Sequence, residues 1–359
     1  MKKKVLFVIS SLRGGGAERV LAVLANELSK REDLEISILL LSAEGQVYNI
    51  KENVKIVELP PIKARKNRIA RILSTIKTLR ETIFTLSPNI VVPFITKTAI
   101  LVYLAIRRKI PIIASEHTIF RHQGFAFDYL RRHVLKRVRY ITCLNQHDYQ
   151  KLSRVNKNTI VLYNPSPFTK EERISSVRGS YAICVASLIR YKDKGIDELI
   201  KIWSQIIEHD SSFKLYILGS GDKRSEENLK SLISQMGLSD YVFLENFQLD
   251  LKPWYSKAEM LISASKIESF SMTLIEAQTL GCPIVSFDCP YGPREIIMHD
   301  INGLLVPNQE YNQLVDAILH LHNDKMLRKR FSEQGLINAD RFSKARVSQK
   351  WYNLFNEIL

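Results

Sequence analysis

Along the chain, short runs of β-branched and aliphatic residues alternate with segments whose apolar positions recur at helical spacing. That alternation predicts parallel sheets covered by helices on both faces. In the first half, strands are expected at 4–10, 35–41, 54–57, 90–93, 110–114, 140–143 and 159–162. Helices are expected at 17–30, 66–86 and 146–152 among the segments between them. The stretch 164–179 is polar, of mixed charge, and carries Pro165 and Pro167, so it reads as an interdomain linker. The alternation then restarts, with strands at 181–185, 214–218, 241–244, 260–263 and 283–287 and helices around 197–207, 225–236 and 273–280. The end, 311–359, is helical with breaks. At 359 residues the chain exceeds what one core usually holds. We therefore expect two α/β, doubly wound domains in tandem, 1–165 and 180–343, with the ligand site in a cleft where the carboxyl ends of the two sheets face each other. No sequence repeat relates the halves.

Composition narrows the class without changing this picture. Apolar residues at 45% and charged residues at 25% are the mix of a globular chain, which excludes a disordered or collagenous one. Cys143, Cys184, Cys282 and Cys289 lie far apart with no CxxC, which argues against a structural zinc and a disulfide scaffold. Cys143 and Cys184 sit in apolar runs and read as buried thiols, and a reducing cytosol suits all four. The lysines before Val5–Ile9 resemble a signal peptide, but the apolar run is short and Arg13, three glycines and Glu18 follow at once. No segment reaches the roughly 18–20 uninterrupted apolar residues of a spanning helix. The expectation is a soluble or peripheral protein.

Charge divides the chain. The net charge is +15, and residues 1–170 hold 30 Lys and Arg against 12 Asp and Glu, so the whole excess lies in the first half. That half is expected to face something negative. Its clusters are Lys63, Arg65, Lys66, Arg68 and Arg71, then Arg107–Lys109, then Arg131, Arg132, Lys136, Arg137 and Arg139. Nucleic acid and an anionic membrane both fit such clusters, but no zinc finger, helix-turn-helix or aromatic-interleaved RNA motif accompanies them. The segment 66–86 reads as a helix with Ile69, Ile72, Leu73, Ile76, Leu79 and Ile83 on one face and basic residues over its N-terminal half, as in a helix lying at lipid head groups. An ordinary amphipathic helix with a solvated basic face is the other reading.

Three elements of the second half converge on a phosphate. Glycines at 14, 15 and 16 after the first strand offer free amides, but Arg19 stands where a dinucleotide fingerprint needs glycine, and there is no Walker A lysine. The stronger signal is Glu268-Ser-Phe-Ser-Met-Thr-Leu-Ile-Glu276, which follows a strand and enters a helix ended by Gly281 and Pro283. Ser271 is expected as its N-cap, leaving the amides of Met272, Thr273 and Leu274 at a positive helix end. Glu268 and Glu276 could then bracket an anion and grip the hydroxyls at its ends. Arg190, Lys192 and Lys194-Gly195 follow one strand of the same sheet, and Gly219-Ser220-Gly221 follows another. Cations and a glycine turn beside a helix N-terminus are what a nucleotide-diphosphate site needs.

These residues, with Gly14–Arg19, Ser115-Glu116-His117 and the run YGPREII…NGLLVP at 291–307, resemble the family-4 retaining glycosyltransferases of the GT-B fold over nearly the whole chain. The resemblance implies two Rossmann-like domains, a first one (1–165) for the acceptor and a second one (180–343) for the nucleotide sugar. It also implies a last helix, about 344–359, that crosses back onto the first domain. It implies transfer from a nucleoside diphosphate sugar, a UDP-hexose or UDP-N-acetylhexosamine, with retained anomeric configuration and no required metal or cofactor. Carried over, Glu276 would bind the ribose, Glu268 the donor sugar, and the amides around Met272 and Thr273 the diphosphate. Arg190 and Lys194 would offset its developing charge. His117 would face the reacting sugar, Gly15 and Gly16 would lie beside the phosphates or the acceptor, and Gly219 and Ser271 would lie in the donor site; the charge of Arg65, Lys66, Arg68 and Arg71, apart from the resemblance, points them toward the acceptor or membrane. Ala186-Ser187-Leu188 stands where the family has Gly-Arg-Leu, so the role of Arg190, Lys192 or Lys194 stays open.

No residue has the paired base of an activated nucleophile. Catalysis by positioning is expected, with the leaving phosphate helping to take the acceptor proton; a covalent intermediate on Glu268 is the rival. The basic first half suggests an acceptor held at an anionic membrane face, a lipid-linked or lipopolysaccharide-type glycan, on a cytoplasmic protein peripheral to the inner face of the membrane and with no nucleic-acid partner. A UDP-sugar 2-epimerase of the same architecture and a non-catalytic sugar-nucleotide or membrane-binding subunit are the alternatives.

Overall fold

The computed structural model describes residues 2–42, 45, 47–60, 67–120, 123–173 and 178–359. They fall into two compact units, Met1–Pro167 with Lys344–Leu359, and Phe168–Ser343.

The first unit holds seven parallel strands: β1 (Lys3–Ile9), β2 (Leu34–Leu40), β3 (Lys55–Glu58), β4 (Ile90–Pro93), β5 (Ile113–Ser115), β6 (Tyr140–Cys143) and β7 (Thr159–Val161). They lie in the order β3-β2-β1-β4 and β5-β6-β7. Single parallel bridges, Val91 to Ile112 and Phe94 to Ser115, connect the two sheets. The run Val5–Ile9 is buried throughout, as a central parallel strand covered on both faces must be. The strand expected at 110–114 begins later, at Ile113. Pro111 has no N–H to give a ladder, and only its carbonyl is used, accepting from the Val91 amide at 3.0 Å.

Helix Arg68–Leu86 is buried at one end only. Leu79 and Ile83 are fully buried, whereas Ile69 is 67% and Leu73 62% exposed. The apolar stripe seen in the sequence therefore packs at its C-terminal half and faces outward at its N-terminal half. The last helix, Lys344–Ile358, joins this unit by burying Val347, Trp351, Leu354 and Phe355, the i, i+4, i+7, i+8 stripe of an amphipathic helix, in contact with helix Gly16–Leu28. The Tyr352 hydroxyl donates to Asp33 at 2.7 Å, and Arg31 lies 4.0 Å over its ring.

The second unit is one six-stranded parallel sheet: β8 (Tyr181–Val185), β9 (Lys214–Leu218), β10 (Val242–Glu245), β11 (Met260–Ser263), β12 (Ile284–Asp288) and β13 (Leu304–Pro307). Its order, β10-β9-β8-β11-β12-β13, is doubly wound and reverses between β8 and β11. Loops leaving neighbouring strands diverge at such a reversal and open a crevice at the carboxyl edge. β13 was not among the expected strands. Its four residues follow a turn, and they are a strand only because β12 is there to pair with them. Asn302, 1% exposed, forms that turn by accepting from the Met298 amide at 2.8 Å. All four cysteines are buried and free of disulfides, and burial pushes Cys184 and Cys289 up to about 12 and Cys282 up to about 11.

Candidate functional site

The reversal point of the second unit is where the expected site residues gather. After β8 the chain makes a short turn, Leu188–Arg190, and enters helix Ile196–His209 through Gly195. Gly195 has φ +65°, and a Cβ there would stand 2.1 Å from the Ala264 carbonyl oxygen just past β11. Only glycine permits that approach. It sets Lys194 against the β11 loop, where its ammonium donates to the Glu268 carboxylate. Ser265 donates to the same oxygen at 3.1 Å, and both charged side chains are mostly shielded from water, 17% and 15% exposed. A shielded pair of this kind is a strong local field, because water screens it little.

Glu268 is also held by its backbone. Its amide donates to Pro290, and its carbonyl accepts from Tyr291 at 2.6 Å and Gly292 at 3.0 Å. A Cβ on Gly292 would lie 2.8 Å from the Phe270 Cα. The YGP run after β12 thus clamps the Glu268 loop.

Helix Met272–Thr279 follows with Ser271 at its N-cap position, but the Ser271 hydroxyl caps no amide and pairs instead with the Thr273 hydroxyl at 3.0 Å. The expected side-chain cap is therefore not made, which leaves that first turn to a ligand's oxygens or to water. Glu276 lies on the second turn, 1% exposed, and accepts from the buried Tyr255 hydroxyl at 3.1 Å. Behind it, Gln278 and Asn338 bond each other at 2.8 Å, and Asn338 also donates to the Ile296 carbonyl. The helix is fixed from behind while its N-terminus stays at the carboxyl edge.

Arg190 stands apart from this group. It is exposed and donates to Asp193 at 3.0–3.1 Å. Gly219 lies at the same edge after β9, but its packing alone requires glycine: a Cβ would be 1.9 Å from the Ala186 carbonyl oxygen. Ser265 and Tyr255 escaped sequence reasoning, since neither carries a charge or a pattern that singles it out, whereas the Tyr291-Gly292-Pro293 run is legible as a motif and only its hold on Glu268 is not.

The first unit holds the remaining candidates. Gly15 is the N-cap of helix Gly16–Leu28, with the Glu18 side chain folded beside it, and Gly14, at φ +132°, makes the turn before it. The His117 ring stacks on Phe94 at 4.5 Å and shares a 2.9 Å hydrogen bond with the Ser115 hydroxyl. Loss of water around the ring pushes it down to about 3, so the imidazole is neutral at neutral pH and brings no charge. Neighbouring Glu116 is 4% exposed and bonded by Thr96, and burial pushes it up to about 7. Arg65 and Lys66 lie outside the described residues, as does the side chain of Arg68; Arg71 is exposed. Among the described residues, no three His, Cys, Asp or Glu side chains gather to hold a metal ion, and no helix is long and apolar enough to cross a membrane.

Residues 14–165 match the family described as Glycosyltransferase Family 4, and residues 179–324 match Glycosyl transferases group 1. An uncharacterized glycosyltransferase of Haemophilus influenzae is 24% identical over 98% of this chain and 99% of its own length. An α-1,4-N-acetyl-D-galactosaminyltransferase of Campylobacter jejuni, acting on a diphosphoundecaprenol-linked glycan, is 26% identical over 99% of each chain. Among solved structures, TarM superposes with TM-score 0.83 at 14% identity over 99% of both chains. The sucrose-phosphate synthase of Thermosynechococcus elongatus does so with TM-score 0.84 at 14% identity over 99% of both.

Proposed function

The chain belongs to the glycosyltransferases of the family-4 and group-1 kind, with their GT-B fold, and we propose that it moves a sugar from a UDP-sugar to a membrane-associated glycan or glycolipid in cell-surface polysaccharide synthesis. The observation that carries this reading is the shielded Lys194–Glu268 pair beside the uncapped start of helix Met272–Thr279, with Glu276 buried one turn on. A diphosphate seated at the helix start would find backbone amides and the Lys194 ammonium. Glu276, oriented by Tyr255, would take the ribose hydroxyls, and Glu268 the donor sugar.

In the reaction, the bond from the anomeric carbon to the diphosphate oxygen breaks, and the acceptor oxygen bonds to that carbon on the same face. The acceptor proton passes to the departing diphosphate. Lys194 contributes by offsetting charge where it develops. Neutral His117, in the first unit, suits a sugar hydroxyl better than a phosphate. We propose that no metal ion is required, Lys194 and the helix amides serving the diphosphate, and that the configuration is retained.

The acceptor reading draws on relatives. The Campylobacter jejuni relative acts on an undecaprenol-linked glycan, another from Staphylococcus aureus acts on poly(ribitol-phosphate), and one solved neighbour was captured with UDP and glucose. The outward Ile69, Ile72 and Leu73 beside Arg71 suit a lipid surface.

The test is donor binding and slow hydrolysis across UDP-glucose, UDP-galactose, their N-acetyl forms, GDP-mannose and ADP-glucose, with and without EDTA. One UDP-sugar is expected to bind and hydrolyse in EDTA. Lys194→Ala should lower kcat by about 10²–10³-fold, and Glu276→Ala should chiefly raise KM. Binding of none of the donors would overturn the reading.

A further inference from the structure

A second basic feature of the first unit lies away from the Arg68–Leu86 helix and has no part in the site above. Between helices Phe125–Leu135 and Gln146–Leu152 runs a cleft of about 540 Å³, lined by Phe120, Asp128, Arg131, Arg132, Lys151 and Arg154, with Val155 at its end. Its floor is built. Arg131 is 3% exposed, bonded to Asp128 at 2.6 Å and covered by the Phe120 ring at 3.8 Å. A buried, paired guanidinium is costly to place and rigid once placed. Around it stand Arg132, Lys151 and Arg154. Arg132 and Arg154 are exposed and ion-paired to no described residue. Arg132 and Arg154 put two positive charges on the lining beside Lys151, which suits a phosphate.

The same helix carries two exposed aromatic rings. Phe125, Tyr129 and Arg132 fall at i, i+4 and i+7, one stripe along the cleft's rim. Phe125 is 86% and Tyr129 69% exposed. Two large rings held in water beside a cationic cleft match the layered chemistry of a bilayer surface, where aromatic rings sit at head-group level. Helices Phe125–Leu135 and Arg68–Leu86 both pack on helix Thr96–Ile106. Each starts at the carboxyl edge of the sheet, so the exposed Ile69, Leu73, Phe125 and Tyr129 lie at one end of one helical layer.

We propose that this cleft is a lipid head-group site: the phosphate of an anionic lipid seats among Arg132, Lys151 and Arg154 while Phe125 and Tyr129 enter the head-group layer. The inference deepens the membrane-surface reading and rests on it.

The experiment is flotation of the full chain with vesicles of phosphatidylcholine alone and with phosphatidylglycerol added, for wild type, Arg132→Gln/Arg154→Gln and Phe125→Ser/Tyr129→Ser. Each variant's thermal unfolding is checked against wild type. Wild type should float with phosphatidylglycerol vesicles. The arginine variant should lose about 25-fold on them, fivefold per cation, and little on phosphatidylcholine alone. The aromatic variant should weaken binding to every vesicle that wild type binds. If wild type floats and the arginine variant floats equally well, the cleft is not the site and the membrane reading falls back on helix Arg68–Leu86. If wild type floats with neither vesicle, the membrane reading itself fails. Equal displacement by soluble glycerol 3-phosphate, or tighter binding of tRNA than of vesicles, would overturn the lipid as occupant.

Discussion

Glu116 places a carboxyl group in the core of the first unit, with Thr96 bonded to one oxygen and Arg131 and Asp148 acting on it through space. Burial outweighs the helpful Thr96 bond and Arg131 charge, and lifts the group from 4.5 to about 7. A raised carboxyl is a liability as pH rises. Between about pH 4.5 and 7 the unfolded chain releases a proton that the folded chain still holds, so stability falls across that window by about 3 kcal/mol and is level above it. Glu116→Gln keeps the shape and the Thr96 bond without ionising. It should match wild type at pH 5 and exceed it at pH 8 in urea unfolding, and an unchanged pH slope would show that the carboxyl is not held protonated. Nothing in Ser115-Glu116-His117 as letters announces this. The motif is legible, but its protonation is set by burial and by Thr96, Arg131 and Asp148, which other elements bring to it.

At the level of elements, the active edge of the second unit depends on how close two loops can come. Gly195 and Gly237 have nearly the same backbone, φ +65° and +68°, but a Cβ on Gly237 would meet nothing within 4 Å. The pair separates two costs. Gly237→Ala should lose about 1 kcal/mol, the left-handed penalty alone. Gly195→Ala adds a collision with the Ala264 carbonyl and should lose about 2–4 kcal/mol, together with transferase activity as Lys194 is pushed off Glu268. Equal losses in thermal unfolding would mean that the loops can part without consequence. In the sequence Gly195 is only the residue after a candidate cation; its packing against the Ala264 carbonyl is the part that a sequence does not display. The same holds for Gly219, whose neighbour Ala186 is distant along the chain.

For the whole molecule, the chain's end serves its beginning. The helix Lys344–Ile358 follows the second unit in sequence and completes the core of the first, with Trp351 2% exposed. Trp351→Ala should cost about 3–5 kcal/mol, and it should do so in the first unit. Amides of β1 and β2 should exchange faster with solvent, while those of β8 and β9 keep their protection. Uniform loss in both units would show that the helix stabilises the molecule in some other way.

The sequence by itself determined the alternation of strands and helices, the restart after residue 179, the location of the basic excess and the Glu268–Glu276 motif. Each of these is written in local spacing: two- and 3.6-residue periods, or nine consecutive residues on one loop and helix. Tertiary structure alone decided which cation meets Glu268. Arg190 and Lys194 are four residues apart and alike in charge. The left-handed turn at Gly195 and the pairing of β8 with β11 send one to Glu268, 74 residues away, and leave the other on the surface with Asp193. It also decided which half of helix Arg68–Leu86 is core. A stripe of apolar residues states that a face will be covered, but only the neighbouring elements state how far along that face the cover extends.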